Sequence, residues 1–267
     1  MSVVYVHGYD DIEADRLADQ AASLADLLHG DIQYSAGQSV LEVGCGVGAQ
    51  TIGLAGRSPE ARFTSVDVSP DSVEIARSRV TEAGLDNVTI QCADARALPF
   101  AVGSFDHVFV CFVLEHIPDP VHTLRTIAEH VRSGGSVTLI EGDHGSTFFH
   151  PRSDAARAAI DSMTTLQERA GGDPYIGRAL WPIMRDAGLG DVTVLPRTVY
   201  IDGSSPELAE SYVRRTYLPM IAGAEGPVVA AGLIDRERFR CGVADLARTA
   251  EQSGVFTTTY FVGSARA

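Results

Sequence analysis

The sequence predicts an α/β protein built on a doubly wound, mostly parallel sheet of seven strands. Three observations lead there. Apolar runs of strand length alternate with helical patterns from residue 38 to residue 141. The run FDHVFVCFVL at 105–114 is almost wholly apolar, as a central parallel strand covered on both faces must be. Glycines gather directly after the first run, where a strand would turn into a helix.

Asp10 with Glu13 forms a capping-box pattern, and Leu17, Ala21, Leu24 and Leu28 follow at 4-3-4 spacing, so 11–29 reads as an amphipathic helix. The first sheet strand is placed at 38–43, its helix at 47–57 and the second strand at 62–67. Ser69-Pro70-Asp71 starts the next helix as N-cap, first-turn proline and dipole-complementing acid, and Gly84 ends it. VTIQC at 88–92 alternates as the third strand and 105–114 is the fourth. Asp119-Pro120 caps a helix carrying Val121, Leu124, Ala128 and Val131, and Gly134-Gly135 turns into SVTLIE at 136–141. Beyond residue 145 the rhythm changes. Helices over 153–171 and 175–187 precede a long strand at 191–201. Helical patterns at 205–224 and 235–252 then lead to a final strand, VFTTTYFVG at 255–263.

With 267 residues, 45% hydrophobic and 21% charged, the chain can bury a large core without disulfides or metal. Cys45, Cys92, Cys111 and Cys241 show no C-x-x-C spacing and read as small buried apolar residues of a reducing compartment. No run is long enough to span a bilayer, and the N-terminus has no signal-peptide pattern, so the cytoplasm is the expected location, with no membrane partner. The net charge is −14, and every basic side chain is Arg, with no Lys anywhere. That surface repels phosphate backbones and argues against a nucleic-acid partner, and the lack of Lys excludes Schiff-base chemistry.

Residues 40–48, VLEVGCGVG, carry Gly44, Gly46 and Gly48 behind Glu42, and FTSVDV closes the second strand on Asp67. A glycine turn lets backbone approach a ligand, and a carboxylate at the end of the next strand accepts from ribose hydroxyls, so the pair predicts a nucleoside site. The spacing is not G-x-G-x-x-G, and Glu42 would repel a pyrophosphate. An acid there suits a ligand that carries an ammonium and a sulfonium. CADARALPF at 92–100 places Asp94 after the third strand, where it can accept from an adenine amino group.

The glycine loop, the VDVS segment, CADARALPF, SFDHVFVCFVLEHIPDP at 104–120 and RSGGSVTLIE at 132–141 resemble, in order, the motifs of class I S-adenosylmethionine-dependent methyltransferases. The style is that of the small-molecule enzymes of ubiquinone and menaquinone biosynthesis. Ser133 stands where that family usually has Pro, and about 50 residues separate two last strands that usually form a near-continuous hairpin. The resemblance implies S-adenosyl-L-methionine as cofactor, held by Glu42, Gly44, Gly46, Gly48, Asp67, Val68, Asp94, Ala95 and Cys111. The resemblance covers 36–145, the cofactor-binding core; the chain reads as one domain over 1–267, with an N-terminal helical lid (1–35) and helical substrate-cap segments (146–190 and 203–254) closing over the substrate. Tyr5, in YVHGY, is a candidate for the sulfonium through its aromatic face.

Methyl transfer to an O, C or N atom by in-line displacement needs alignment, exclusion of water and, for a weak nucleophile, a base. Candidates must lie at the carboxyl ends of the fourth and fifth strands. His144 is the first choice, oriented by Asp143 or Glu141, with His116 near the methionine end of the cofactor. No metal-ligand spacing accompanies His116, His144 and His150. Arg178, Trp181, Arg197 and Tyr200 would make the cap fit a planar or carboxylated metabolite. An exposed apolar cap helix would permit a homo-oligomer. Two other classes fit less of the pattern: an NAD-dependent oxidoreductase, and a cofactor-binding protein without turnover.

Overall fold

The computed structural model describes residues 24–267. Seven strands form one sheet: β1 (Ser39–Val43), β2 (Arg62–Asp67), β3 (Val88–Cys92), β4 (Phe105–Cys111), β5 (Val131–His150), β6 (Gly190–Ile201) and β7 (Val255–Arg266). Their order is β3-β2-β1-β4-β5-β7-β6. The first five run parallel, and β7 pairs antiparallel with both β5 and β6.

Local chemistry sets the helix starts. The Ser69 hydroxyl accepts from Ser72 N–H at 3.2 Å and Pro70 opens α2 (Pro70–Glu82), after α1 (Ala49–Arg57). Asp119 accepts from His122 N–H at 3.0 Å at the head of α3 (Pro120–Ala128). Ser153 caps α4 (Asp154–Arg169), accepting from Ala156 N–H at 3.0 Å, and α5 (Leu180–Asp186) follows a 3₁₀ turn at Ile176–Ala179.

Two apolar layers sandwich the sheet. One face packs Leu41, Val43, Val108, Val110, Val137 and Leu139 against α3 and α5 through Leu124, Ile127, Leu180 and Met184. The other face, with Val40, Phe109, Cys111, Ile140, Val199 and Tyr260, is covered by Leu24 and Leu28, by α1 and α4, and by the segments between β6 and β7.

Three differences from expectation lie at and beyond the end of β4. The fifth strand does not stop at Glu141 but runs to His150, because its extension finds partners on β7: Phe148 with Thr257, Phe149 with Phe256 and His150 with Val255. The fourth ends at Cys111, and Leu114–His116 is a 3₁₀ turn. The helical pattern at 205–224 is broken into a short turn (Pro206–Leu208), a π-helix (Ala209–Tyr217) and α6 (Leu218–Gly223), followed by α7 (Glu225–Ala230) and α8 (Arg236–Ala247). Cys45 and Cys111 are buried, but Cys92 and Cys241 are exposed and do not meet the expectation of buried apolar residues. Tyr5 and most of the proposed 1–35 lid lie outside the described residues.

Candidate active site

β1 ends at Val43, and residues 44–48 carry the chain into α1. Gly44, Gly46 and Gly48 have φ of 75°, 51° and 77°, in the left-handed region that glycine enters freely. At position 44 a side chain would also collide, since its Cβ would lie 2.2 Å from Val113 Cγ2. A Cβ on Gly46 would meet nothing within 4 Å, so this peptide borders open space that a ligand can fill.

Gly44 and Cys45 donate their amides to Val66 O at 2.8 and 2.9 Å, pulling the loop against the end of β2. There Gly46 N–H donates to Asp67 Oδ2 at 2.8 Å and Ser69 N–H to Oδ1 at 2.9 Å. Each oxygen keeps lone-pair capacity for a further donor, which is what a vicinal diol offers. Burial raises the Asp67 pKa, and the amides of Ser69, Gly46 and Val68 oppose the rise by favouring the ionised form. Glu42 is buried, and its Oε2 accepts from the hydroxyls of Thr51 and Ser65, each at 2.6 Å. Burial raises its pKa too, and Asp67 adds to the shift.

Asp67 and Cys92 are neighbours in register, so Asp94 follows β3 beside the loop's carboxylate. The Arg96 guanidinium holds Asp94 at 2.6–3.2 Å and keeps its pKa below the usual carboxylate value. Val68 is exposed and Ala95 half-buried. These groups and buried Cys111, the last residue of β4, lie at adjacent carboxyl ends of the sheet.

The predicted catalytic residues divide. Glu141 is fully buried and turned towards the end of β4: its Oε1 accepts from Val113 N–H at 3.1 Å and Leu114 N–H at 2.7 Å. Burial pushes its pKa well up, and the Glu115 carboxylate adds to the shift. Glu115 in turn accepts from Gln167 of α4 at 3.0 Å and lies 3.8 Å from His116 Nε2. Asp143 is gripped by Arg178, with Nε to Oδ2 at 2.8 Å and Nη2 to Oδ1 at 2.7 Å. Strand alternation turns adjacent side chains to opposite faces, so Asp143 meets Arg178 rather than His144. Half-buried His144 is fixed by its backbone, whose N–H donates to Pro174 O at 3.0 Å.

The four predicted cap residues do not converge. Arg178 faces Asp143, and Arg197 pairs with Asp31 at 3.2 Å. Arg197 and Tyr200 stand three apart on β6 and therefore leave opposite faces of the sheet. Trp181 on α5 and Tyr200 are 53% and 58% exposed. Among the described residues, no group of three His, Cys, Asp or Glu side chains is placed to hold a metal ion, and no helix is long and apolar enough to cross a membrane.

Sequence reasoning missed an aromatic group on the loop's side of the sheet. Phe112 has a φ of 58°, a strained value for a bulky residue, and its ring lies 5.4 Å from that of Tyr260. The Tyr260 hydroxyl hydrogen-bonds that of Tyr212, while Tyr217 donates to Thr147 Oγ1 at 3.4 Å. Tyr212 and Tyr217 are five apart, a spacing that shares a face only in a π-helix, so helical periodicity of 3.6 hides them.

Residues 40–135 match the family model described as "Methyltransferase domain". The chain is 34% identical over 166 residues to methyltransferase GfsG of Streptomyces halstedii, covering 62% of this chain and 58% of that one. It is 36% identical over 134 residues to 27-O-demethylrifamycin SV methyltransferase of Amycolatopsis mediterranei, covering 50% of this chain and 49% of that one. The chain thus spans half to three fifths of the length of these relatives. The fold matches that of phosphoethanolamine N-methyltransferase 2 of Haemonchus contortus, with a TM-score of 0.58 and 17% identity over 96% of this chain and 57% of that one. Strand order, nucleoside cradle and relatives agree: residues 40–135 form a methyltransferase domain of the S-adenosylmethionine-dependent kind.

Proposed function

We propose that this chain methylates a hydroxyl oxygen of a small, largely uncharged metabolite. One observation carries the methyl-transfer reading: a glycine cradle bounded by the carboxylates of Asp67 and Glu42, with no basic side chain between residues 40 and 48. That field suits a cationic donor and opposes a diphosphate, which disfavours a nicotinamide cofactor. The choice of oxygen is supported by the similarity to 27-O-demethylrifamycin SV methyltransferase.

When bound, S-adenosylmethionine would supply an electrophilic sulfonium methyl: an acceptor oxygen lone pair would form the C–O bond while the C–S bond broke and its electron pair stayed on sulfur. The protein's share is placement. Asp67 receives the ribose hydroxyls, and Asp94 with Ala95 and Val68 borders the adenine. Glu42 contributes negative charge beneath the loop. Phe112 and Tyr260 exclude water at the end of β4 and orient the acceptor. His144 takes the proton of the acceptor hydroxyl on a ring nitrogen, and His116 borders the methionine end of the cofactor. Residues 36–145 act as the cofactor core, with 146–190 and 203–254 as the acceptor-side cap.

Calorimetry with S-adenosylhomocysteine and NAD, then transfer of labelled methyl to 27-O-demethylrifamycin SV and related polyhydroxylated macrocycles, tests this reading. Binding of the adenosyl compound with methyl recovered on oxygen supports it. NAD binding alone, or label found on carbon or nitrogen, overturns it. His144→Ala should lower kcat by ~10²-fold, with the loss smallest for acceptors of low pKa.

A further inference from the structure

We infer that Glu141 is a positioning residue that locks the end of β4 so that one short segment serves both the cofactor loop and the acceptor wall. The segment 112–114 is the link. Phe112 is held at φ 58° although it is neither Gly nor Asn, and its N–H donates to Ile140 O at 2.9 Å. The next two amides, of Val113 and Leu114, both end on Glu141 Oε1. A bulky residue in the left-handed region persists only where its surroundings over-determine it. Three successive amides fixed by β5, two of them through one side chain, supply that constraint.

The consequences run in two directions. Val113 Cγ2 sits where a side chain on Gly44 would be, so its position sets how close the glycine loop lies to β4. Phe112 turns its ring to Tyr260, whose own ring lies against Gly142. Glu141 Oε2 is buried without a partner, so the carboxyl acts through one oxygen only, and a neutral side chain with the same oxygen can replace it. This inference rests on the proposed function, taking the glycine loop as the cofactor cradle and the Phe112–Tyr260 pair as part of the acceptor wall.

The test compares Glu141→Gln, Glu141→Ala and Glu141→Ala with Phe112→Gly. Binding of S-adenosylhomocysteine is followed by calorimetry, and the free variants are solved by crystallography. Glu141→Gln keeps both amide bonds and should stay within about threefold of the parent affinity. Glu141→Ala should weaken binding by about tenfold or more, and residue 112 should leave the left-handed region. Adding Phe112→Gly should recover most of that affinity, because glycine enters φ 58° without the strain that Phe carries there. The same double variant should leave the acceptor KM raised, since the ring is gone. An unchanged 112–114 backbone in free Glu141→Ala overturns the proposal. So does a Glu141→Gln variant as damaged as Glu141→Ala, which would assign the carboxyl to proton transfer. If Glu141→Ala does not fold, Phe112→Gly in the Glu141→Gln background decides: weakened cofactor binding there overturns the proposal, and retained binding with a raised acceptor KM supports it. The free-protein structures report on Glu141 whether or not any adenosyl compound binds, so a failure of the methyl-transfer reading is seen separately.

Discussion

The two halves of the sheet handle their polar groups in opposite ways. At the ends of β1 and β2, carboxylates are fixed by backbone amides and small hydroxyls across 2 to 23 residues of chain. Around β5 and β7, phenols, threonines and an Arg–Asp pair meet across sequence separations of 35 to 111 residues. The first arrangement is rigid and complements one ligand. The second depends on how helices stack on the sheet, so it can change its lining while the first half stays as it is. A donor common to a whole family fits the former, and a variable acceptor fits the latter.

The sharpest way to break the contrast is Gly44→Ala. The residue would be strained at φ 75° and would strike Val113, so S-adenosylhomocysteine binding should fall below detection and the urea midpoint should drop by the equivalent of roughly 1–3 kcal/mol. Asp67→Ala should come next, weakening binding of that ligand by about 100-fold, or ~2.7 kcal/mol, with little change in acceptor KM. In the parent protein the same affinity should fall as pH drops through the raised pKa of Asp67, beginning above 3.8, because the protonated acid no longer accepts from both hydroxyls. Calorimetry at a series of pH values checks both.

In the other half, Tyr212→Phe removes the partner of Tyr260 and should raise acceptor KM several-fold while cofactor affinity holds; the stability loss should be about 1 kcal/mol. The smallest effect concerns His29, buried between Gln50 and Arg57 near α1. Burial lowers its pKa and Arg57 lowers it further, although the bond to Gln50 opposes both. The unfolded chain therefore binds more protons below pH 6.5, and stability should decline from there towards the lower folded pKa. His29→Gln should flatten that decline in urea titrations at pH 7.5 and 5.5, and an equal slope in both proteins would remove His29 from the account.

Sequence legibility follows the same divide. β3 occupies the predicted residues 88–92, and α2 and α3 begin at Pro70 and Pro120 as their caps dictate, because those signals act within a few residues. The glycine turn and Asp67 were legible for that reason too. The extension of β5 was not, since its partners Val255–Thr257 lie more than 100 residues away. Neither was the commitment of Asp143 to Arg178, which depends on where the turn before α5 lands. The separation of Arg197 from Tyr200 was legible in principle: a spacing of three in a strand places side chains on opposite sides. Phe112 left no trace, because nothing in VFVCFVL marks where the backbone changes hand.

The length of β5 has one more consequence. Ile140 pairs with Val262 and Phe149 with Phe256, so nine residues of β5 lie along six of β7, roughly 20 Å at 3.3 Å each, and an irregularity between Asp143 and Phe148 takes up the difference. β7 runs from Val255 to Arg266 past both residues and resists stretching. The two ends of β5 are therefore held at a constant spacing, and the helices laid over that span can change without drawing those ends apart.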